Sequence, residues 1–523
     1  MTKKLILYFH TIRYLKPIQI VYQLYYILIK HINKKALNLS KKTNQTFIHL
    51  IYTFSLENKS YLNNGFRFLN ISHHFEKEIN WELMEYGKLW QYNLVYFDFL
   101  NDSTLSKDEG IYLIKHFINC QSYLKSSNEP YPISLRVINW IRFVNRHKIN
   151  DGQIIDAIYL QANHLTHRLE YHLLGNHLLE NGFSLFHAAK FFSNKRFYKI
   201  AKQILDQQLK EQILADGGHF ELSPMYHQII FYRVLESIDI LKNNYIDPDK
   251  ELLDFLLEKS SLMLGWLNNM TFSNGDIPLL NDSTNEIAPS TLQLQIFAKK
   301  TGIHPSNNPL TVSGYRKFNK QRYEAIIDVG PIGPTYQPGH AHSDMLNLVI
   351  YKDSNPFLIE VGTSTYQINP RRYLERSTES HNTVVVNNEN QSQVWSGFRV
   401  AKRANILLLK DDSEIILAQH DGYKNILHQR KANFLEKQIN ITDTIFGDAK
   451  MATANWHFHP NIVIKLKKSK IEFDGGEIIF ENFDSVSVEE YYFAPKFNEL
   501  ILSQKIKVNF QKELITKFFF NNP

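Results

Sequence analysis

IDAIYLQANHLTHRLE at residues 155–170 and QIIFYRVLESIDILK at 228–242 each repeat apolar side chains at intervals of three and four. That spacing lines one face of a helix with 3.6 residues per turn. The pattern runs from about residue 80 to 300 and is broken at Pro130, Pro132, Gly217, Gly218, Pro224 and Gly275, so this half reads as stacked helical hairpins. Beyond about residue 320 the period changes. LNLVIY (346–351), FLIEV (357–361), TVVV (383–386), EIILA (414–418) and GEIIF (476–480) are short alternating or β-branched runs, separated by turn-forming tetrads such as Lys352–Asn355 and Asp411–Glu414. Many short strands at near-regular spacing predict a large antiparallel β-sandwich. The two patterns meet at SNNPLTVSG (306–314).

A chain of 523 residues exceeds what one hydrophobic core usually spans, so two large domains are expected. The 28 Tyr and 35 Phe suit sugar-stacking clefts, although core packing accounts for most rings in any protein. The formal charge of +7 is modest for this length, and no long Lys/Arg run accompanies a nucleic-acid-binding motif. Nucleic acid is therefore not an expected partner, whereas a polyanionic ligand fits. Cys120 is the single cysteine, so no intrachain disulfide and no cysteine-based metal cluster can form. The opening MTKKLILYFHTIRYLKPIQIVYQLYYILIK is basic and apolar, but His10, Arg13 and Lys16 interrupt it before a signal-type core is long enough. A cytoplasmic or membrane-peripheral location is the expectation, with a periplasmic one left open. No stretch reaches the roughly 18 apolar residues of a spanning helix, and residues 17–29 read as an amphipathic surface segment.

Four polar clusters interrupt this apolar patterning. In Asn176-His177-Leu178-Leu179-Glu180-Asn181, His177 and Glu180 are helical i and i+3 neighbours, so the carboxylate can orient the imidazole; a plain helix-surface pair reads the same way. Asp216-Gly217-Gly218-His219-Phe220-Glu221-Leu222-Ser223-Pro224-Met225-Tyr226-His227 is a loop feeding a helix. Reactive groups collect on such loops, while Ser223-Pro224 is also an ordinary helix start. In Gly339-His340-Ala341-His342-Ser343-Asp344, strand alternation would point both histidines to one face. A metal shell there needs further ligands, with Glu360 and His381 as candidates. The fourth run, Arg371-Arg372-Tyr373-Leu374-Glu375-Arg376 followed by STESHNT, carries guanidinium forks suited to carboxylate or sulfate groups, or to ion pairs within a surface loop.

Taken in order, GNHLLEN (175–181), DGGHFELSPMYH (216–227), GHAHSD (339–344) and ERSTESHNTVVV (375–386) resemble the heparinase II/III family. The likeness extends from WQYNLVYFDFLN (90–101) through PYPISLRVINW (130–140) to HFHP (457–460). The resemblance implies an α+β multidomain chain, with an incomplete (α/α) toroid at 76–312 after an extension of mixed helix and loop at 1–75, and an antiparallel β-sandwich at 313–523. It implies a polysaccharide lyase acting on a uronic-acid-containing anionic glycan; the N-terminus, without a signal-type core, in turn leads to the expectation of bacterial surface-polysaccharide metabolism, capsule or O-antigen-like. Asn176, His177, Tyr226 and His340 match the catalytic positions. Glu180, His227, Tyr366, Arg371, Arg372, Tyr373 and Arg376 stand as supporting or substrate-binding candidates. Zinc on His342, Glu360 and His381 is the implied metal, with no organic cofactor. The family's acidic ligand is usually Asp, so Glu360 lengthens that arm by one methylene, and a metal-free site with a structural Glu360 is the alternative.

β-Elimination from a uronate removes the proton at C5 and expels the O4-linked sugar, so the site needs charge neutralisation, a base and an acid. Asn176 and His340 are expected at the carboxylate, and Tyr226 and His177 to divide the acid and base roles. Two rival readings are a non-catalytic glycan-binding protein of polysaccharide assembly and a glycoside hydrolase using Asp216 and Glu221 as its carboxylate pair. A dimer is compatible with all three.

Overall fold

The computed structural model describes residues 2–32, 37–57, 59–62, 65–120, 124–244 and 249–521. Two helices, α1 (Thr2–Ile12) and α2 (Pro17–Ile32), precede a hairpin of Gly65–Phe68 with Ile71–His74, so the opening region holds strands as well as helix and loop. The helical half then runs α3 (Lys88–Tyr96), α4 (Lys107–Cys120), α5 (Pro130–Arg146), α6 (Gly152–Leu165), α7 (Gly175–Phe192), α8 (Lys195–Gln212), α9 (Pro224–Asn243), α10 (Lys250–Met270) and α11 (Thr291–Lys300). Successive antiparallel neighbours pack as pairs: α5 with α6, α7 with α8, α9 with α10.

Local signals start these helices. Asp151 caps α6 by accepting from the backbone N–H of Gln153 and Ile154, Ser290 forms a capping box with Gln293 on α11, and Ser223 caps α9 just before Pro224. Each satisfies donors that the first turn leaves without a partner. α7 is buried on nearly every side, which marks it as a central helix rather than a surface one.

The C-terminal half is antiparallel sheet. One sheet orders its eight strands Ile406–Asp411, Ile415–Tyr423, Ile426–Leu435, Gln438–Phe446, Glu513–Phe520, Gly476–Glu481, Lys470–Phe473, Ile464–Lys467. It shares a core with a four-stranded sheet ordered Ser485–Phe493, Ile501–Phe510, Ala452–His457, Val384–Val386. Alternating burial along Ile426–Leu435 and Gln438–Phe446 is the signature of strands with one face inward. A third sheet, Tyr315–Asn319, Tyr323–Asp328, Leu348–Lys352 and Asn355–Leu358, adjoins the helices.

That third sheet is the joint. Leu222 and Trp266 of the helical half pack with Tyr315, Ile326, Val349 and Tyr351 of the sheet in one buried cluster. The Tyr315 hydroxyl donates to the Leu222 carbonyl at 2.6 Å, and the Trp266 indole donates to Ser313 Oγ at 3.0 Å. A dry joint with satisfied polar groups holds the two halves in one relation, and the cleft between them depends on it. No helix among the described residues is long and apolar enough to cross a membrane.

Candidate active site

A cleft of about 2660 Å³ opens between the helices and the sheets, and Asn176, His177, Tyr226, His340 and Tyr366 all line it. Twelve Lys or Arg and seven Asp or Glu border the same space, so its walls are net cationic.

Asn176 and His177 sit in the first turn of α7. The residue ahead of that helix, Leu174, takes φ 59° and ψ −148°, and Gly175 takes φ 57°, conformations that cost a non-glycine residue of order 1–3 kcal/mol. Gly175 also leaves room for a carboxylate: a Cβ there would lie 2.7 Å from Glu221 Oε1. Glu221 accepts from the Asn176 backbone N–H at 3.2 Å and from its Nδ2 at 2.9 Å. Tyr226 is the third residue of α9, oriented by the Ser223 cap, whose hydroxyl also donates to the Asp282 carbonyl at 3.0 Å.

His340 reaches the cleft from a loop that leads into the third sheet. Its ring stacks on Tyr226 with centroids 3.8 Å apart, its Nδ1 donates to Asp282 Oδ2 at 2.9 Å, and its Nε2 lies 3.4 Å from Asn176 Nδ2. The Tyr226 and Tyr366 hydroxyls are 3.3 Å apart. One patch of cleft wall thus joins an amide, an imidazole and two phenols. His177 points its Nδ1 at Glu170 Oε1, 3.1 Å away, with its ring 4.6 Å from that of Tyr131, which leaves Nε2 for the cleft.

Burial sets the protonation states. It pushes Tyr226 well above the ordinary phenol range, and the neighbouring Tyr366 adds to the shift, so Tyr226 is a phenol at neutral pH. Burial disfavours charge on His177, but the Glu170 carboxylate and its hydrogen bond outweigh that and hold the imidazole above its ordinary value. Glu221 is held below the usual carboxylate range: burial opposes the charge, and His340, His219 and the Asn176 donors overcome it. Asp282 lies well below that range for the same kind of reason, with Arg372 as the strongest counter-charge.

Several expectations are corrected. Glu180 does not orient His177; it is buried against the Arg233 guanidinium, with Nε at 3.0 Å from Oε2, and Glu170, seven residues before His177, takes that place. His227 faces away from the cleft, with its Nε2 at 3.0 Å from the Met263 carbonyl and its Nδ1 accepting from the His219 backbone. Arg372 forms a buried fork with Asp282, and Arg376 donates to the carbonyls of Ala341 and Gly397. Arg371 is bound to Glu375 and the Tyr492 carbonyl. None of these arginines, nor Tyr373, lines the cleft. For Arg372 the physical reason is that a buried guanidinium must be neutralised by its own protein, and for Arg376 that its donors are taken by backbone carbonyls; the sequence run does not say which acceptors will do so.

The metal candidates regroup as well. Among the described residues, Asp344, Glu360 and His381 place one ligand atom each within 4.8 Å of the others; His342 Nε2 is engaged by Asp282 Oδ1 at 2.9 Å, and its ring lies 5.3 Å from that of His381. His381 Nδ1 meets Glu360. Asp344 Oδ2, His381 Nε2 and His342 Nδ1 are buried polar atoms without a hydrogen-bond partner. Orphaned oxygen and imidazole donors of this kind fit a divalent cation. His340 and His342 lie on a loop rather than at a strand entrance, and it is Asp282, not strand alternation, that both rings share.

Family models describe the same two halves: a heparinase II/III N-terminus matches residues 3–311, and a heparinase II/III-like C-terminal domain matches 304–517. The chain belongs to the heparinase II/III family. Among relatives in that family, the heparin-sulfate lyase of Pedobacter heparinus is 22% identical over 388 residues, 65% of this chain and 55% of that protein. That of Bacteroides stercoris is 25% identical over 321 residues, 55% of this chain and 46% of that one. The chain thus spans about half the length of the curated relatives it matches. A crystal structure of heparinase III superimposes with a TM-score of 0.65 at 15% identity, covering 86% of this chain and 80% of the other. A heparan sulfate lyase from Pedobacter heparinus gives 0.55 at 17% identity, covering 88% and 81%. Members of the heparinase II/III fold therefore share this pairing of helical half and sheet half.

Sequence reading missed Glu170, Asp282 and Asp344. Asp282 ties His340, His342 and Arg372 together, yet in the chain it is one polar residue in a loop, LNDST at 280–284, with no motif to flag it.

Proposed function

We propose that the chain is a polysaccharide lyase that cleaves an anionic, uronate-containing glycan by β-elimination. The observation that carries this reading is the stacked pair of Tyr226 and His340, with Asn176 at 3.4 Å from the imidazole, in a cleft with cationic walls. Asn176 and His340 face the uronate carboxylate and lower the cost of the charge that moves onto it. His177, through Nε2, takes the C5 proton; the electron pair left behind forms the C4–C5 double bond, and the C4–O bond breaks. Tyr226, still protonated, gives its proton to the departing O4 oxygen. Tyr366, at 3.3 Å, is the route by which that phenol regains a proton.

A divalent cation, zinc by family resemblance, would be held by Asp344, Glu360 and His381, and would supply a fixed positive charge there. Elemental analysis of the purified protein tests this: metal that co-purifies with the parent and is lost from Glu360→Ala and His381→Ala supports the site. Equal metal content in all three would reject it.

The hydrolase reading weakens because Asp216 is occupied. Its Oδ2 accepts from the backbone of Thr311 and Ser313 and from the Ser313 hydroxyl, at 2.7–2.9 Å. The deciding experiment offers a panel of glycosaminoglycan and capsule-type uronate polymers and follows the ultraviolet absorbance of the unsaturated product. Tyr226→Phe and His340→Ala are expected to lose at least about a hundredfold in rate, the usual weight of an acid or an electrostatic contact. Parent-like rates in both, or a saturated product, would overturn the assignment.

A further inference from the structure

The first two helices are amphipathic the wrong way round for a surface helix packed on its own protein. α2 turns its polar and phenolic side inward: Gln19 is buried and donates to the carbonyls of His172 and Leu173 and to Gln337, and Tyr26 donates to the Leu169 carbonyl. α1 does likewise, with Tyr8 against Trp395 and Thr11 accepting from the Trp395 indole. The apolar side chains point out. Leu5, Phe9, Val21 and Leu28 are 60–67% exposed, and Ile18, Val21, Tyr25 and Leu28 follow a three- and four-residue spacing along one side of α2. An apolar stripe normally faces a core; one that faces outward marks an interaction surface.

Charge says what covers it. Residues 1–56 hold nine Lys or Arg and no Asp or Glu, which leaves fifty Lys or Arg against fifty-two Asp or Glu in the rest of the chain. The entire positive surplus of the protein is concentrated in the segment that carries the outward apolar stripe. An outward apolar stripe on a segment with nine cations and no carboxylate side chain matches an anionic lipid surface.

We propose that α1 and α2 form a docking surface for an anionic phospholipid bilayer, lying in its interface without crossing it. Ile12, Ile20 and Leu24 of the same helices border the cleft, so the bilayer stands beside the cleft mouth, where a membrane-attached glycan would be presented. The lyase reading is not needed for this surface, and the test below does not depend on it.

The full chain is sedimented with phosphatidylcholine vesicles and with vesicles that also contain phosphatidylglycerol. It is expected to pellet with the second and to be released by salt. Phe9→Ser/Val21→Ser/Leu28→Ser and Lys4→Glu/Arg13→Glu are each expected to weaken partitioning by about tenfold or more, with an unchanged melting midpoint. Equal binding to neutral vesicles would overturn the proposal, as would failure to bind either. Self-association of the parent, abolished by the apolar triple variant and without vesicle binding, would assign the surface to a second copy of the chain.

Discussion

Glu170 and His177 together set the pH at which the proposed base is available. The imidazole is held above its ordinary value of 6.5 because the Glu170 carboxylate outweighs burial. A base must be neutral, so activity is absent while His177 is protonated and rises as pH climbs through the raised pKa. The acid limb of kcat/KM is therefore expected above pH 6.5 in the parent. Glu170→Gln removes the charge that raises it, and the limb is expected to move to lower pH; an unmoved limb would take the base role from His177. At this scale much was legible: Asn176, His177, Tyr226 and His340 all line the cleft. The carboxylates behind them were not, because Glu170 and Asp282 act through bends and loop closures that leave no periodic trace in the chain.

Helix starts are where element and site meet. Ser223 accepts from the Tyr226 backbone N–H at 3.3 Å and donates to the Asp282 carbonyl, so one hydroxyl both begins α9 and ties it to the loop that supports His340. Ser223→Ala is expected to cost about 1 kcal/mol as a lost cap, read as a lower denaturation midpoint. A larger proportional loss in kcat than in 1/KM is expected with it, since Tyr226 would lose its fixed place against His340. A fall in midpoint with kcat intact would make the cap purely structural. The Ser-Pro signal announced this helix plainly in the sequence. The start of α7 was different: Leu174 offers no side-chain cap and holds a positive φ, and the Asn176 backbone N–H of its first turn is satisfied instead by Glu221, which is remote in sequence.

For the molecule as a whole, the cleft walls carry more cations than anions while residues 57–523 are nearly neutral, so positive charge is concentrated at the cleft where the proposed substrate would lie. Salt at physiological strength screens charges beyond about 8 Å, and KM for a polyanionic substrate is expected to rise with salt while kcat changes little. Steady-state kinetics across a salt series checks this; a KM indifferent to salt would remove the electrostatic account of substrate capture.

Periodicity and breakers alone announced the helical half, the strand-rich half and the order of the four polar clusters, because those features are local: a 3.6-residue repeat, a two-residue repeat and a capping serine each express themselves within a few residues. The partner of each buried charge was decided by folding. Arg372 on Asp282, Arg233 on Glu180 and His177 on Glu170 follow from which surfaces the joint at Trp266 and Tyr315 brings face to face. Neutralising a buried charge is a matter of distance in space, and the chain encodes that distance only through its complete packing.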